Sequence, residues 1–387
     1  MKIAVVTATF PPYRGGTGHV AYHNAWALAE RGHAVTVWTA DRGGAAGAAL
    51  PFRVVRVAPA AAVGNAPWIP RLARRLGKAD VVHVHYPDIF GAIAAARAAR
   101  QGSTRLVMTL HNRLVDGSPP GAALGKAGLF WAYERWATPW LFRRAAALVT
   151  MSEDHFHTWQ QLHPCVRVVP HGVDGALFRP RPRGTMRRRL GLPADALVLL
   201  FVGALDAAHR FKNLPLLLAA LPYVADSAVL LVAGDGDQRT ALERAARRLG
   251  VGRRVWFAGS QEPQALPMWY GAADATVLPS VSTESFGLVL LESLAMQIPV
   301  VATSLPGVRT VVRPGQDGLL VDPGSLESMV RGLRALARRP QLREQMGRRG
   351  RQRVVHEYSW RSSGEKLERL FLDLVSARTG VSLHGPP

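Results

Sequence analysis

The sequence predicts an α/β chain of two Rossmann-like domains, each built on a parallel sheet, facing a cleft. Three observations carry this expectation. The 387 residues exceed one ordinary core, and chains of this length suit two domains of roughly 170 to 200 residues. β-rich runs alternate with helix-length spacers through both halves, the pattern of parallel β-α units. Polar residues gather at the ends of these runs, and an open α/β sheet presents the carboxyl ends of its strands to the crevice where ligands bind. The expected division is an acceptor-side domain over 1–175, a donor-side domain over 176–360, and a last helix with a loose tail over 361–387.

In chain order, residues 2–9 (KIAVVTAT) form a short strand and Phe10-Pro11-Pro12-Tyr13-Arg14-Gly15-Gly16-Thr17-Gly18 the loop after it. Residues 19–31 then read as a helix stopped by Gly32. Glycines between a first strand and a first helix let backbone N–H groups approach a phosphate, although a tight turn alone would also use them. Strands follow at 33–39, 52–57, 81–84 and 105–110. His85 ends one of these runs and His111 another, so both are aimed at a site. Residues 129–142 (LFWAYERWATPWLF) are the most aromatic stretch. They read as a long helix bent at Pro139 with one face in the core; a helix lying on a membrane would use the same residues. A strand at 147–151, a helix start at Ser152-Glu153 and a strand at 166–169 close the half, and the Arg- and Pro-rich run 179–189 reads as linker.

The second half opens on an apolar strand at 197–202, then a loop ending in His209-Arg210-Phe211-Lys212-Asn213, then a helix with Pro215 in its first turn. A lysine just before a helix start can hold a diphosphate as a point charge. Strands at 229–233 and 255–259 follow, the first running into Gly234-Asp235-Gly236. The strand 275–278 leads through Pro279-Ser280-Val281-Ser282-Thr283-Glu284-Ser285-Phe286-Gly287 into an apolar helix beginning Leu288-Val289-Leu290-Leu291-Glu292. The start of such a helix offers unpaired N–H groups and a partial positive charge, a natural seat for phosphate. Glu284 and Glu292 flank that seat, one suited to a sugar and the other to a ribose. Further strands at 300–303 and 318–322, two Arg-rich helices over 326–353 and an amphipathic helix over 364–374 complete the pattern.

The stretch Ser-x-x-Glu-Ser-Phe-Gly with a second glutamate eight residues on resembles the donor-site signature of the retaining glycosyltransferases of family 4, which have the GT-B fold. The likeness extends over nearly the whole chain, including Pro170-His171-Gly172-Val173-Asp174. It implies transfer of a sugar from a nucleotide-diphosphate donor, UDP- or GDP-linked, to an acceptor hydroxyl, with retention of configuration, no cofactor and no metal. It implies catalytic roles for His111 and Glu284. Donor contacts are implied at Gly16, Arg210, Lys212, Asp235, Phe286, Gly287, Leu288 and Glu292, and acceptor-side positions at Tyr13, Arg14 and His85, the last alternatively a packed residue. The sequence departs from the commonest pattern at Ala204, where an arginine usually follows the strand-end glycine; Arg210 is the replacement the loop offers. The family pattern also sends the final helix back onto the first domain.

A net charge of +21 calls for an anionic partner, and nucleic acid, an anionic membrane or a phosphorylated substrate would each satisfy it. Only five of the 48 basic residues are lysine, so part of the charge reflects a compositional habit, and runs such as Arg187-Arg188-Arg189 read as solvated faces. No nucleic-acid-binding module is present, and the aromatics are not interleaved with the basic runs. One cysteine, Cys165, excludes internal disulfides and cysteine cages. His83-x-His85 and His155-x-His157 each read as two imidazoles on one side of a strand, without a third ligand at metal-site spacing. No signal peptide or 18-residue apolar run occurs, so the expected location is cytoplasmic, with peripheral contact at an anionic inner membrane face if the acceptor is lipid-linked. The rival readings are a non-catalytic GT-B scaffold, a nucleotide-sugar epimerase of GT-B fold and a basic nucleic-acid-binding protein.

Overall fold

A computed structural model describes residues 1–12, 15–42, 49–63, 66–100, 104–111, 126–282 and 284–379. The chain divides into two compact units, one comprising Met1–His171 with the chain from Trp360 onward, the other Gly172–Ser359.

The first unit holds a parallel sheet of seven strands: β1 (Lys2–Val6), β2 (Ala34–Ala40), β3 (Arg53–Val57), β4 (Val81–Tyr86), β5 (Arg105–Leu110), β6 (Ala147–Thr150) and β7 (Val166–Val168). Their order is β3-β2-β1-β4-β5-β6-β7, all neighbours parallel. β4 is buried along its whole length, as expected for a parallel strand covered on both faces. α1 (Gly16–Glu30) buries Val20, Ala21, Asn24, Ala25 and Leu28, the helical spacing of one inward stripe. It starts three residues before the position that the sequence pattern gave. Gly18 therefore lies in its first turn, where a Cβ would fall 2.7 Å from the Thr9 carbonyl oxygen, whereas a Cβ on Gly16 would meet open space among the described residues. The close helix–loop approach needs Gly18.

The second unit repeats the plan with β8 (Leu197–Val202), β9 (Ala228–Ala233), β10 (Val255–Gly259), β11 (Ala275–Leu278), β12 (Val300–Thr303) and β13 (Gly318–Val321). Their order is β10-β9-β8-β11-β12-β13. Both sheets thus follow the doubly wound order, in which the direction of winding reverses beside the first strand and ligands bind at that switch point. In the first unit it lies between β1 and β4, in the second between β8 and β11.

The structure corrects several local readings. The segment 179–189 is not a bare linker: Arg183–Arg189 is helical, and Arg187 is buried with its guanidinium 2.6 Å from Asp274. An arginine run can therefore place one member inward when a buried carboxylate awaits it. His155 and His157 lie on the helix Glu153–Gln160 rather than a strand, because Ser152 caps that helix and accepts from the His155 N–H. The aromatic segment passes through a π-helical turn, Tyr133–Ala137, with Pro139 in the first turn of the next piece. The last helix spans Trp360–Thr379 and contacts α1; Leu367, Leu370 and Phe371 join the core around Val5 and Val37, and Glu368 receives His33 at 2.9 Å.

Candidate functional site

The site in the second unit forms where the loops after β8 and β11 leave the switch point. After β8 the chain passes Gly203 and enters a 3-10 turn, Ala207–Lys212, whose first residue follows Asp206; the Asp206 carboxylate accepts from the His209 N–H at 3.0 Å. Asn213 then takes the left-handed conformation, φ 51°, and α2 (Leu214–Ala220) begins. After β11 come Pro279, Ser280 and the Glu284 loop. The Val281 N–H donates to the Phe211 carbonyl at 2.8 Å, so the two loops are tied together by backbone.

Across this junction Lys212 Nζ donates to Glu284 Oε2 at 2.8 Å, and Ser280 Oγ donates to the same oxygen at 3.2 Å. Both charged side chains are largely withdrawn from solvent, 15% and 12% exposed. An ion pair held this way is screened less than a surface pair. Gly203 makes the arrangement possible: a Cβ there would fall 2.8 Å from Lys212 Cδ. A Cβ on Gly234 would fall 1.8 Å from the Gly203 carbonyl oxygen, so the end of β9 approaches Gly203 this closely only as glycine.

α3 (Leu288–Ala295) follows Gly287, which sits at φ 79°, ψ 68°, a conformation that disfavours any residue with a Cβ. No side chain among the described residues caps this helix, and its first turn carries no acidic residue. A helix start of this kind, without an acidic residue in its first turn, suits an anion. Glu292 lies one turn further in and accepts from the Tyr270 hydroxyl at 2.7 Å. Burial raises the Glu292 carboxyl to about 7, and the Tyr270 bond opposes that only in part. Tyr270 was not legible in the sequence, since a lone tyrosine in an apolar helix carries no signal.

The remaining donor-side positions separate by what their side chains already do. Arg210 is exposed and donates to Gln238 Oε1 at 3.1 Å. Asp235 accepts from the Gly236 N–H at 2.9 Å and pairs with Arg239 at 3.2 Å. Phe286 is buried and its ring meets Tyr358. Leu288 opens α3.

In the first unit, the switch point gathers histidines. His83 and His85 lie on one side of β4 and are fully buried. In the parallel register His83 stands opposite Val107 and His85 opposite Thr109. Each imidazole bonds to the residue two further along β5's path: His83 Nε2 to Thr109 Oγ1 at 2.7 Å, His85 Nδ1 to His111 Nε2 at 2.9 Å. The rings continue from His111 to His171, centroids 5.4 Å apart, and from His171 to Trp360, on which His23 stacks at 4.5 Å. Burial pushes His83 down to about 3 and His111 to about 4, and lowers His85 and His171 well below the usual imidazole range. All four are neutral at pH 7. Sequence reasoning placed His85 and His111 at strand ends but did not bring them into contact, because that contact depends on register. Gly16 opens α1 on the surface of this unit; Tyr13 and Arg14 lie outside the described residues. Among the described residues, no group of three or more His, Cys, Asp or Glu is placed to hold a metal ion, and no helix is long and apolar enough to cross a membrane.

Comparison with known proteins agrees with this geometry. Residues 14–176 match the model of glycosyltransferase family 4, and residues 182–353 match that of the group 1 glycosyl transferases. A D-inositol 3-phosphate glycosyltransferase of Thermomonospora curvata is 34% identical over 318 residues, covering 76% of this chain and 72% of that protein. Those of Thermobispora bispora and Acidothermus cellulolyticus are 35% and 37% identical. The chain spans 59% and 57% of the length of these two relatives. Among solved structures, sucrose-phosphate synthase from Thermosynechococcus elongatus superposes with TM-score 0.81 at 23% identity, covering 97% of this chain and 99% of that one. The Anabaena protein HepE in complex with UDP-glucose gives 0.80 at 19%, covering 96% and 100%. Two doubly wound units with a phosphate-suited helix start in the second define a protein of the GT-B class. More narrowly, the chain belongs to the glycosyltransferases of family 4 and group 1.

Proposed function

We propose that this protein transfers a sugar from a nucleoside-diphosphate sugar to an acceptor hydroxyl, with retention of configuration. The observation that carries the proposal is the Lys212–Glu284 pair across the β8/β11 switch point. It sets a cation for a diphosphate beside a carboxylate for sugar hydroxyls, at the place where this fold binds nucleotides.

Lys212 and the N–H groups after Gly287 hold the diphosphate, with Arg210 assigned by this proposal to stand in for the arginine missing at Ala204. Glu292 accepts from the ribose hydroxyls, Asp235 lies toward the nucleoside, and Phe286 and Leu288 contribute backbone. The bond from the anomeric carbon to the diphosphate oxygen breaks with its electron pair on that oxygen. The acceptor oxygen bonds to the anomeric carbon from the same face, and its proton passes to the departing phosphate. Charge grows on the leaving group where Lys212 and the helix start lie, the electrostatic effect that most often dominates catalysis. Glu284 holds the sugar as its ring gains positive charge. His111, with Gly16, is assigned to the same reaction by the family resemblance, in contact with the transferred sugar.

The name of the relatives makes D-inositol 3-phosphate the first acceptor to test. A lipid-linked acceptor at an anionic membrane, consistent with the net charge of +21, is the second. The experiment is a panel of radiolabelled UDP- and GDP-sugars offered with and without each acceptor. Transfer or slow donor hydrolysis with one donor is the expected result; epimer formation, or silence with every donor, overturns the proposal.

A further inference from the structure

Glu292 is partly exposed on α3, whereas Tyr270, on the helix Leu266–Ala272, is 0% exposed. The tyrosine ring is set by packing, edge-on to Phe178 with centroids 5.8 Å apart, and its hydroxyl donates to Glu292 Oε2 at 2.7 Å. A ligand therefore meets the carboxylate and not the phenol. Burial and the neighbouring carboxylate raise the Tyr270 hydroxyl well above its usual range, so it stays a donor at neutral pH. A carboxylate takes about four hydrogen bonds, and the one from Tyr270 leaves capacity for hydroxyls on the exposed side. The other elements packed on α3 are occupied elsewhere. β11 and β12 carry no titratable residue. The helix Pro340–Glu357 faces α3 with Gly347, Gly350 and Arg351, and the Arg351 guanidinium donates to the carbonyls of Ala295, at the end of α3, and of Phe178.

We infer that Tyr270 is a positioning residue for Glu292: its hydroxyl anchors Oε2 from within the core of the second unit and aims the rest of the carboxylate at the ribose hydroxyls of the nucleotide donor. The inference rests on the donor role proposed above for Glu292. The anchor also acts on charge. A hydrogen bond to a carboxylate favours its ionised form, and Tyr270 opposes in part the burial that raises Glu292 to about 7. Ribose hydroxyls donate more strongly to the ionised form, so Tyr270 extends nucleotide binding down toward neutral pH. Without the phenol, burial acts alone and the carboxyl takes up its proton at a higher pH.

Titration of the Glu292 carboxyl by 13C NMR, assigned through Glu292→Gln, tests the anchor. The parent should titrate near 7. Tyr270→Phe keeps the ring and should bind the proton about tenfold more tightly; 3-fluorotyrosine at position 270, a stronger donor of nearly the same size, should bind it less tightly than the parent. Calorimetry with UDP and GDP tests the consequence. Tyr270→Phe should bind the nucleotide about five-fold more weakly than the parent at pH 7 and within about two-fold of it at pH 9, where the carboxyl is ionised in both proteins. In the Glu292→Gln background, Tyr270→Phe should change affinity by no more than about two-fold at either pH. An unmoved Glu292 titration in Tyr270→Phe, or an equal loss of affinity at pH 7 and pH 9, overturns the inference. Should the parent bind neither nucleotide while the Glu292 titration moves as described, the proposed donor role fails and the anchoring of Glu292 by Tyr270 stands.

Discussion

The two units share a strand order and differ in what they place at the switch point. The first gathers imidazoles, His83, His85, His111 and His171, which burial keeps neutral. The second gathers charge: Lys212 against Glu284, with a helix start that no side chain caps among the described residues and a Glu292 whose carboxyl burial raises to about 7 nearby in sequence. The same backbone plan therefore supports two chemistries, and the side chains at the strand ends decide which. A cation and a helix start suit a diphosphate. Neutral rings exchange hydrogen bonds with hydroxyls and would gain little from phosphate.

The largest expected effect separates charge that supports the second unit from charge that acts in its site. Asp274 is 2% exposed, pairs with Arg187 at 2.6 Å and Arg183 at 3.0 Å, and accepts from the Val198 N–H at 2.8 Å. Asp274→Ala leaves buried Arg187 without its carboxylate, which costs about 3 to 5 kcal/mol. Urea unfolding measures this; a loss under about 1 kcal/mol would mean that solvent or relaxation replaces the pair.

Glu284→Gln tests the charge in the site itself. A charged hydrogen bond contributes about 1.5 to 3 kcal/mol, so kcat should fall roughly 10- to 150-fold if the bond to the sugar forms mainly in the transition state. The melting temperature should stay near the parent's. Unchanged kcat at saturating donor and acceptor, with chemistry rate-limiting, would remove Glu284 from the role assigned to it.

Glu292→Gln should act on stability and donor binding in opposite directions. The folded-state value of about 7 lies above the unfolded value near 4.5. Below 4.5 the group is protonated in both states and costs nothing. Between 4.5 and about 7 the unfolded chain ionises first, so the parent loses stability as pH rises, and the full loss is present above 7. The glutamine variant should therefore melt with the parent at pH 4 and above it at pH 8, while its donor KM rises more than its kcat falls. Melting curves that differ equally at both pH values would contradict the burial argument.

The smallest effect is expected at Gly203→Ala. The new Cβ would lie 2.8 Å from Lys212 Cδ, and the flexible stem can move aside, so folding should survive. Displacing one hydrogen bond by about 1 kcal/mol would raise the donor KM roughly five-fold. A KM equal to the parent's would show that Lys212 reaches its partner along another path.

Much of the fold was legible because parallel strands buried on both faces are continuous apolar runs, as in Leu197–Val202, and helix stops carry glycine. Lys212, Glu284 and Glu292 were singled out in the sequence by the family resemblance together with their local spacing around a strand and a helix start. Four things were not legible. The Lys212–Glu284 bond joins residues 72 apart, and the His85–His111 contact depends on the register of two strands. Arg187 looked like its solvent-facing neighbours, since nothing in an arginine run marks which member meets a buried aspartate. Tyr270 likewise owes its role to packing beneath α3 rather than to any pattern in its own helix.

The central claim is that the second unit binds a nucleoside diphosphate through Lys212, and calorimetric titration of the parent and Lys212→Ala with UDP and GDP tests it most directly. The parent should bind at least one of them, and the variant should bind that one about 10- to 150-fold more weakly, the loss of a charge-assisted contact of about 1.5 to 3 kcal/mol, with its melting temperature near the parent's. Equal affinity of parent and variant for the nucleotide, or no binding of either nucleotide by the parent, would contradict it.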